Sequence, residues 1–99
     1  MKQNIEKIIC RYMSTQPVLK AWIFGSYSRG EEREDSDIDI MILPDESGHF
    51  SLFTLGGMYE DLQELLGRRV DLVTEAGLRD FARESVDHDK KLIYERTVA

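Results

Sequence analysis

Ninety-nine residues suffice for one domain and little more, so the chain 1–99 reads as a single folded unit. A hydrophobic fraction of 41% with 32% charged residues is that of a globular protein and excludes a disordered or fibrous one. The formal net charge of −6 argues against direct binding to nucleic acid, since affinity for a phosphate backbone needs an excess of Lys and Arg.

Cys10 has no partner for an intramolecular disulfide and sits in the apolar run Ile8-Ile9-Cys10, so a buried, inert thiol is expected. No stretch approaches the roughly 18 apolar residues of a membrane span, and the N-terminus lacks a leader pattern. A cytoplasmic protein without a membrane partner is the expectation.

Taken in chain order, residues 2–15 are helical by spacing, with Ile5, Ile8, Ile9, Tyr12 and Met13 on one side, and Gln16-Pro17 ends the helix. Val18 to Phe24 is a short apolar segment in which Ala21-Trp22-Ile23-Phe24 reads as a buried strand, stopped by Gly25. A turn or short helix over 26–30 and a charged loop follow. Ile38, Ile40 and Ile42 alternate with Asp37, Asp39 and Met41, the period of a strand, which Pro44 to Gly48 closes. Leu52 to Leu66 predicts a helix with Leu55, Met58, Tyr59, Leu62, Leu65 and Leu66 as its apolar stripe and Gly67 as its C-cap. Gly56-Gly57 weakens its start, and close packing on a sheet would be one reason for the pair. Val70 to Thr74 reads as a strand and Leu78 to Lys91 as a helix. Leu92-Ile93-Tyr94 fits either a final strand or a last helical turn. This alternation points to an α/β fold, a sheet covered by helices.

The chemistry concentrates in GSYSRGEEREDSDIDI, Gly25 to Ile40. A glycine between a buried strand and a helix start lets backbone N–H groups approach an anion, and Ser26 adds a hydroxyl; the plain alternative is a helix N-cap. Asp37 and Asp39 follow, spaced by ~6.6 Å of extended chain and facing the same side while Ile38 and Ile40 face a core. Two such carboxylates repel each other unless a divalent cation lies between them, or unless the strand is an exposed edge. The run Ile40-Met41-Ile42-Leu43 favours an interior strand. Asp71 interrupts the apolar strand Val70-Asp71-Leu72-Val73, where a lone buried charge is costly. If that strand lies beside the first, three carboxylates converge and can hold two Mg²⁺ about 4 Å apart. Asp35, Asp37, Asp39 and Glu46 also match part of a calcium-loop spacing, but Ile40 stands where that loop needs glycine.

Ile23-Phe24-Gly25-Ser26, ten residues, Asp37-Ile38-Asp39 and the later Asp71 resemble the DNA polymerase β-like nucleotidyltransferase superfamily. The chain looks most like its minimal nucleotidyltransferase (MNT) members, and the likeness extends through Leu65 to Val73. Ser28 stands where the family usually has alanine, Asp35 makes the loop unusually acidic, and Ser85 to Asp89 match least. The resemblance implies a mixed central sheet flanked by helices and transfer of a nucleoside monophosphate from an NTP such as ATP. Asp37, Asp39 and Asp71 would be the catalytic, metal-binding acids, with Mg²⁺ or alternatively Mn²⁺. Gly25 and Ser26 would bind the nucleotide phosphates; Arg29 either joins them or anchors the turn.

MNT proteins resemble the antitoxin half of pairs with helical HEPN toxins, which they silence by moving AMP onto a tyrosine. The chain has no residues to spare for an acceptor platform, so a second chain, in a homo- or hetero-oligomer, is expected to supply it. Two other readings stand beside this one. The first is a non-catalytic antitoxin that covers its partner with the acidic loop. The second is an oligomeric transferase for a small molecule. His88, between Asp87 and Asp89, reads as a solvated helix residue.

Overall fold

The computed structural model describes residues 2–25, 30 and 37–97. Helix α1 spans Lys2–Met13. It ends short of the predicted residue 15 because the hydroxyls of Ser14 and Thr15 donate to the carbonyls of Arg11 and Tyr12, both at 2.6 Å. Such bonds compete with helix continuation, and Pro17 follows. Strand β1 is Val18–Phe24 and β2 is Ile38–Pro44.

Helix α2 covers Leu52–Leu66 as predicted. Ser51 and Thr54 form a reciprocal capping box at its start, and Gly67 closes it at φ +62° with its N–H donating to the Gln63 carbonyl. Strand β3 is Val70–Thr74. Helix α3 is confined to Asp80–Asp89, because Lys90 is already extended and leads into β4, Lys91–Glu95. The ambiguous Leu92-Ile93-Tyr94 is therefore a strand. Among the described residues no helix is long and apolar enough to cross a membrane.

The sheet runs β3-β2-β1-β4. β1 pairs antiparallel with both β2 and β4, and β2 pairs parallel with β3 across the α2 connection, so the sheet is mixed. Alternate residues divide between its faces. Ile23, Ile38, Ile40, Ile42 and Val70 pack with Ile9 and Met13 of α1 and Met58 and Leu62 of α2. Trp22, Met41 and Val73 face the other way, toward Val86 of α3 and Leu78 just before it. Val18 joins the first core although its parity matches Trp22, because a bulge between Val18 and Lys20 shifts the register. Across the α1–α2 contact the Tyr12 hydroxyl donates to Asp61 Oδ2 at 2.6 Å.

Three expectations need correction. Only Met58 and Leu62 of the α2 stripe are buried, whereas Tyr59 and Leu65 are exposed, because the sheet covers a narrower arc of the helix than the apolar spacing spans. Side chains added at Gly56 or Gly57 would meet no atom within 4 Å, so the pair does not pack on the sheet. Cys10 is half-buried and not enclosed.

Candidate active site

The site forms where two strand pairings of opposite sense meet. Antiparallel pairing sets Phe24 opposite Asp39, which brings the turn after β1 to the beginning of β2. Parallel pairing sets Asp39 opposite Asp71. One row across the sheet thus reads Phe24, Asp39, Asp71, adjoining the apolar row Trp22, Met41, Val73 that α3 covers. Ile38 and Val70, the residues before the two acids, are buried on the opposite face and fix which way the acids point.

Gly25 has φ +72°, a left-handed conformation that side chains rarely adopt. A Cβ at this position would fall on Oδ2 of Asp39, so the carboxylate occupies the space that the glycine leaves open. The turn and the acid are fitted to each other. Asp39 is half-buried, while Asp37 and Asp71 are exposed. Asp71 does not carry the buried charge expected from its apolar neighbours: β3 is an edge strand, and its second residue lies beyond the cover of α3. The interior position expected for β2 is found, between β3 and β1.

Asp37 Oδ1 stands 3.8 Å from Nε of Arg69, whose carbonyl accepts from the Ile38 N–H at 3.0 Å. Arg69 is a neighbour that the sequence reading left without a role. Its signal was the spacing: residue 69 precedes Asp71 as Asp37 precedes Asp39, so parallel pairing sets 69 beside 37. The Arg69 side chain is 85% exposed and offers a cation at the edge of the acidic row.

Among the described residues, no three His, Cys, Asp or Glu side chains stand close enough together to hold a metal ion. The donor set nonetheless suits Mg²⁺, which is commonly held by one or two carboxylates with water and substrate phosphates completing its shell, not by an all-protein cage. The register-paired Asp39 and Asp71 supply hard oxygens at adjacent strand positions. Ser26 and Arg29 lie outside the described residues, as do Glu31 to Asp35 of the acidic loop. His88 is 89% exposed beside Asp89, a solvated helix residue as expected. A cavity of about 600 Å³ lined by Leu43, Pro44, Asp45, Phe50 and Thr74 lies at the opposite ends of β2 and β3 and is separate from the acids.

The mixed four-stranded sheet with its flanking helices is the polymerase β-like fold of minimal nucleotidyltransferases. The family model described as "Nucleotidyltransferase domain" matches residues 2–98, and the chain belongs to that family. Two candidate protein adenylyltransferases of Methanocaldococcus jannaschii are similar to it. MJ1379 is 41% identical over 73 residues, covering 73% of this chain and 71% of its own. MJ0435 is 34% identical over 83 residues, covering 84% and 87%. The protein adenylyltransferase MntA of Thermococcus cleftensis is 44% identical over 64 residues, 65% of this chain and 63% of MntA.

Among solved structures, a candidate minimal nucleotidyltransferase superposes with a TM-score of 0.73 at 32% identity, covering 90% of this chain and 88% of that one. A toxin–antitoxin structure with AMP-PNP gives a TM-score of 0.77 at 23% identity, covering 93% and 74%. The complex of a tri-AMPylated Shewanella oneidensis HEPN toxin with its MNT antitoxin gives 0.74 at 22%, covering 97% and 74%. At these identities the last two speak for the fold alone.

Proposed function

We propose that the chain is a protein adenylyltransferase that moves AMP from ATP to a tyrosine hydroxyl of a HEPN-type helical toxin, and so acts as the antitoxin of that pair. The observation that carries this reading is the fit of the Asp39 carboxylate into the space left by Gly25. It puts an anion-accepting turn and a metal-type ligand in contact, which a structural turn would not require. The names of the archaeal relatives support protein adenylylation, and the fold shared with the antitoxin of an AMPylated HEPN toxin motivates a HEPN-type acceptor.

In this reading the backbone of Gly25 and Ser26, with Arg29, holds the β- and γ-phosphates. Asp39 and Asp71, paired in register, would hold Mg²⁺ as two ions, with Mn²⁺ an alternative, Asp37 would join them once the ions draw the three acids together, and Asp71 would help to take the proton from the acceptor hydroxyl. A bound Mg²⁺ would supply charge neutralisation at the phosphates. The hydroxyl oxygen bonds to the α-phosphorus as the bond to pyrophosphate breaks, and positioning supplies most of the rate. Incubating the protein with the product of its neighbouring gene and Mg-ATP should add one or more AMP masses to that product. The Asp37→Ala, Asp39→Ala double variant should add none. A neighbour that binds with an unchanged mass would refute transfer and leave an antitoxin acting by cover.

A further inference from the structure

We propose that the N-terminal half of α2 is a docking surface for a helix of another protein, one with an apolar face flanked by Lys or Arg. Leu52 is 85% exposed, Phe53 93% and Tyr59 42%. Together they present on the order of 400 Å² of apolar surface, a size that marks interaction sites on monomers. Gly56 lies between them on the helix surface and Gly57 on the far side of Phe53, with no atom near where their side chains would stand. Glycine inside a helix is destabilising relative to alanine, and no contact within the described residues offsets that cost. A notch without side chains, ringed by Leu52, Phe53 and Tyr59, admits the ridge of a second helix at short interaxial distance.

Charge decides the occupant. Residues 52–59 carry no charge, whereas Glu60, Asp61 and Glu64 follow directly, and α2 holds no Lys or Arg. Phe53, Gly57, Glu60 and Glu64 recur at helical spacing along one line, so a helix laid on the apolar half extends past the carboxylates. A second copy of this chain would bring acids of its own, on a molecule of net charge −6. A basic amphipathic helix meets apolar surface with apolar surface and acid with base. The inference goes beyond the transfer chemistry and holds whether or not the docked protein is the acceptor.

The test uses two labelled helical peptides of about 18 residues with one Leu face, flanked by Lys in one and by Glu in the other, titrated by fluorescence anisotropy. The Leu/Lys peptide should bind the wild-type protein and the Leu/Glu peptide should not. Phe53→Glu should weaken binding at least tenfold although it adds negative charge, and Gly56→Leu, which fills the notch, should do the same. Phe53 is exposed, so the variant should fold, and circular dichroism checks this. Asp39→Asn should bind the peptide like wild type. Binding unchanged or tightened by Phe53→Glu would reduce the effect to bulk charge attraction and overturn the proposal. Loss of binding in Asp39→Asn would move the peptide to the acidic row and equally overturn it. A wild-type dimer in sedimentation that Phe53→Glu dissociates would assign the surface to a second copy instead.

Discussion

Replacing Gly25 by alanine separates what that glycine does for the backbone from what it does for Asp39. At φ +72° an alanine costs about 1–2 kcal/mol in backbone strain. Its Cβ also falls on Asp39 Oδ2, so the carboxylate must swing away, adding about 0.5–1.5 kcal/mol if it leaves its staggered rotamer. Gly67→Ala is the matched control: φ is +62°, yet no atom lies within 4 Å of the new methyl. Both variants should lose stability, at roughly 4–8 °C of Tm per kcal/mol in a domain of this size. Only Gly25→Ala should lose transfer, by about 100-fold, the usual effect of misplacing a reacting group by about 1 Å. The assay is the initial rate of AMP incorporation into the partner by mass spectrometry, below the Tm of both variants. A Gly25→Ala rate within about twofold of Gly67→Ala would show that the Asp39 contact is incidental and refute the reasoning.

Gly56→Ala with Gly57→Ala should stabilise the free protein by about 1–2 kcal/mol, since both positions are helical and open; an unchanged or lower Tm would deny that they are spare in the monomer. Asp71→Asn should alter stability by no more than about 0.5 kcal/mol at this exposed site while greatly slowing AMP transfer; full activity would remove it from the proposed machinery. Tyr12 has its phenol pKa raised, by burial first and then by its hydrogen bond to Asp61 and the charge of that acid. The stability this contributes is complete below the ordinary value of 10.0 and is lost as pH rises beyond it. Tyr12→Phe should therefore flatten the alkaline fall in Tm, and an identical fall in both proteins would exclude the linkage. Arg96 donates to the Gln16 carbonyl at 2.6 Å and to the Tyr94 hydroxyl at 3.2 Å, tying the end of β4 to the α1–β1 turn. Arg96→Ala should cost about 1.5–3 kcal/mol in urea denaturation, and a loss below 0.5 kcal/mol would contradict the structural role.

Local signals carried much of this fold. The bounds of α2 and β3, the end of β1 and the Gly67 cap follow from apolar spacing and glycine placement, whereas β1 begins at Val18, three residues before the expected Ala21. Leu92-Ile93-Tyr94 was ambiguous because three residues are too few to show a period; pairing with β1 decides it. Pairing partners were the larger gap. That Asp39 faces Asp71 depends on β2 and β3 lying parallel and in that register, which the sequence allowed but did not require. Strand order also explains the misjudged exposure of Asp71, since nothing in Val70 to Thr74 says that the strand lies at an edge. The nearness of Arg69 to Asp37 is likewise a matter of register and not of motif.

The two pairings that flank β2 also set when the site can exist. Gly25 follows β1, Asp39 lies in β2 and Asp71 in β3, and the parallel partner can join only after α2 has folded back across the sheet. A chain emerging from the ribosome therefore has no competent site until β3 has been released and docked. Nucleotide recognition begins only after β3 is in place, and a product that stops before Val70 would be chemically silent.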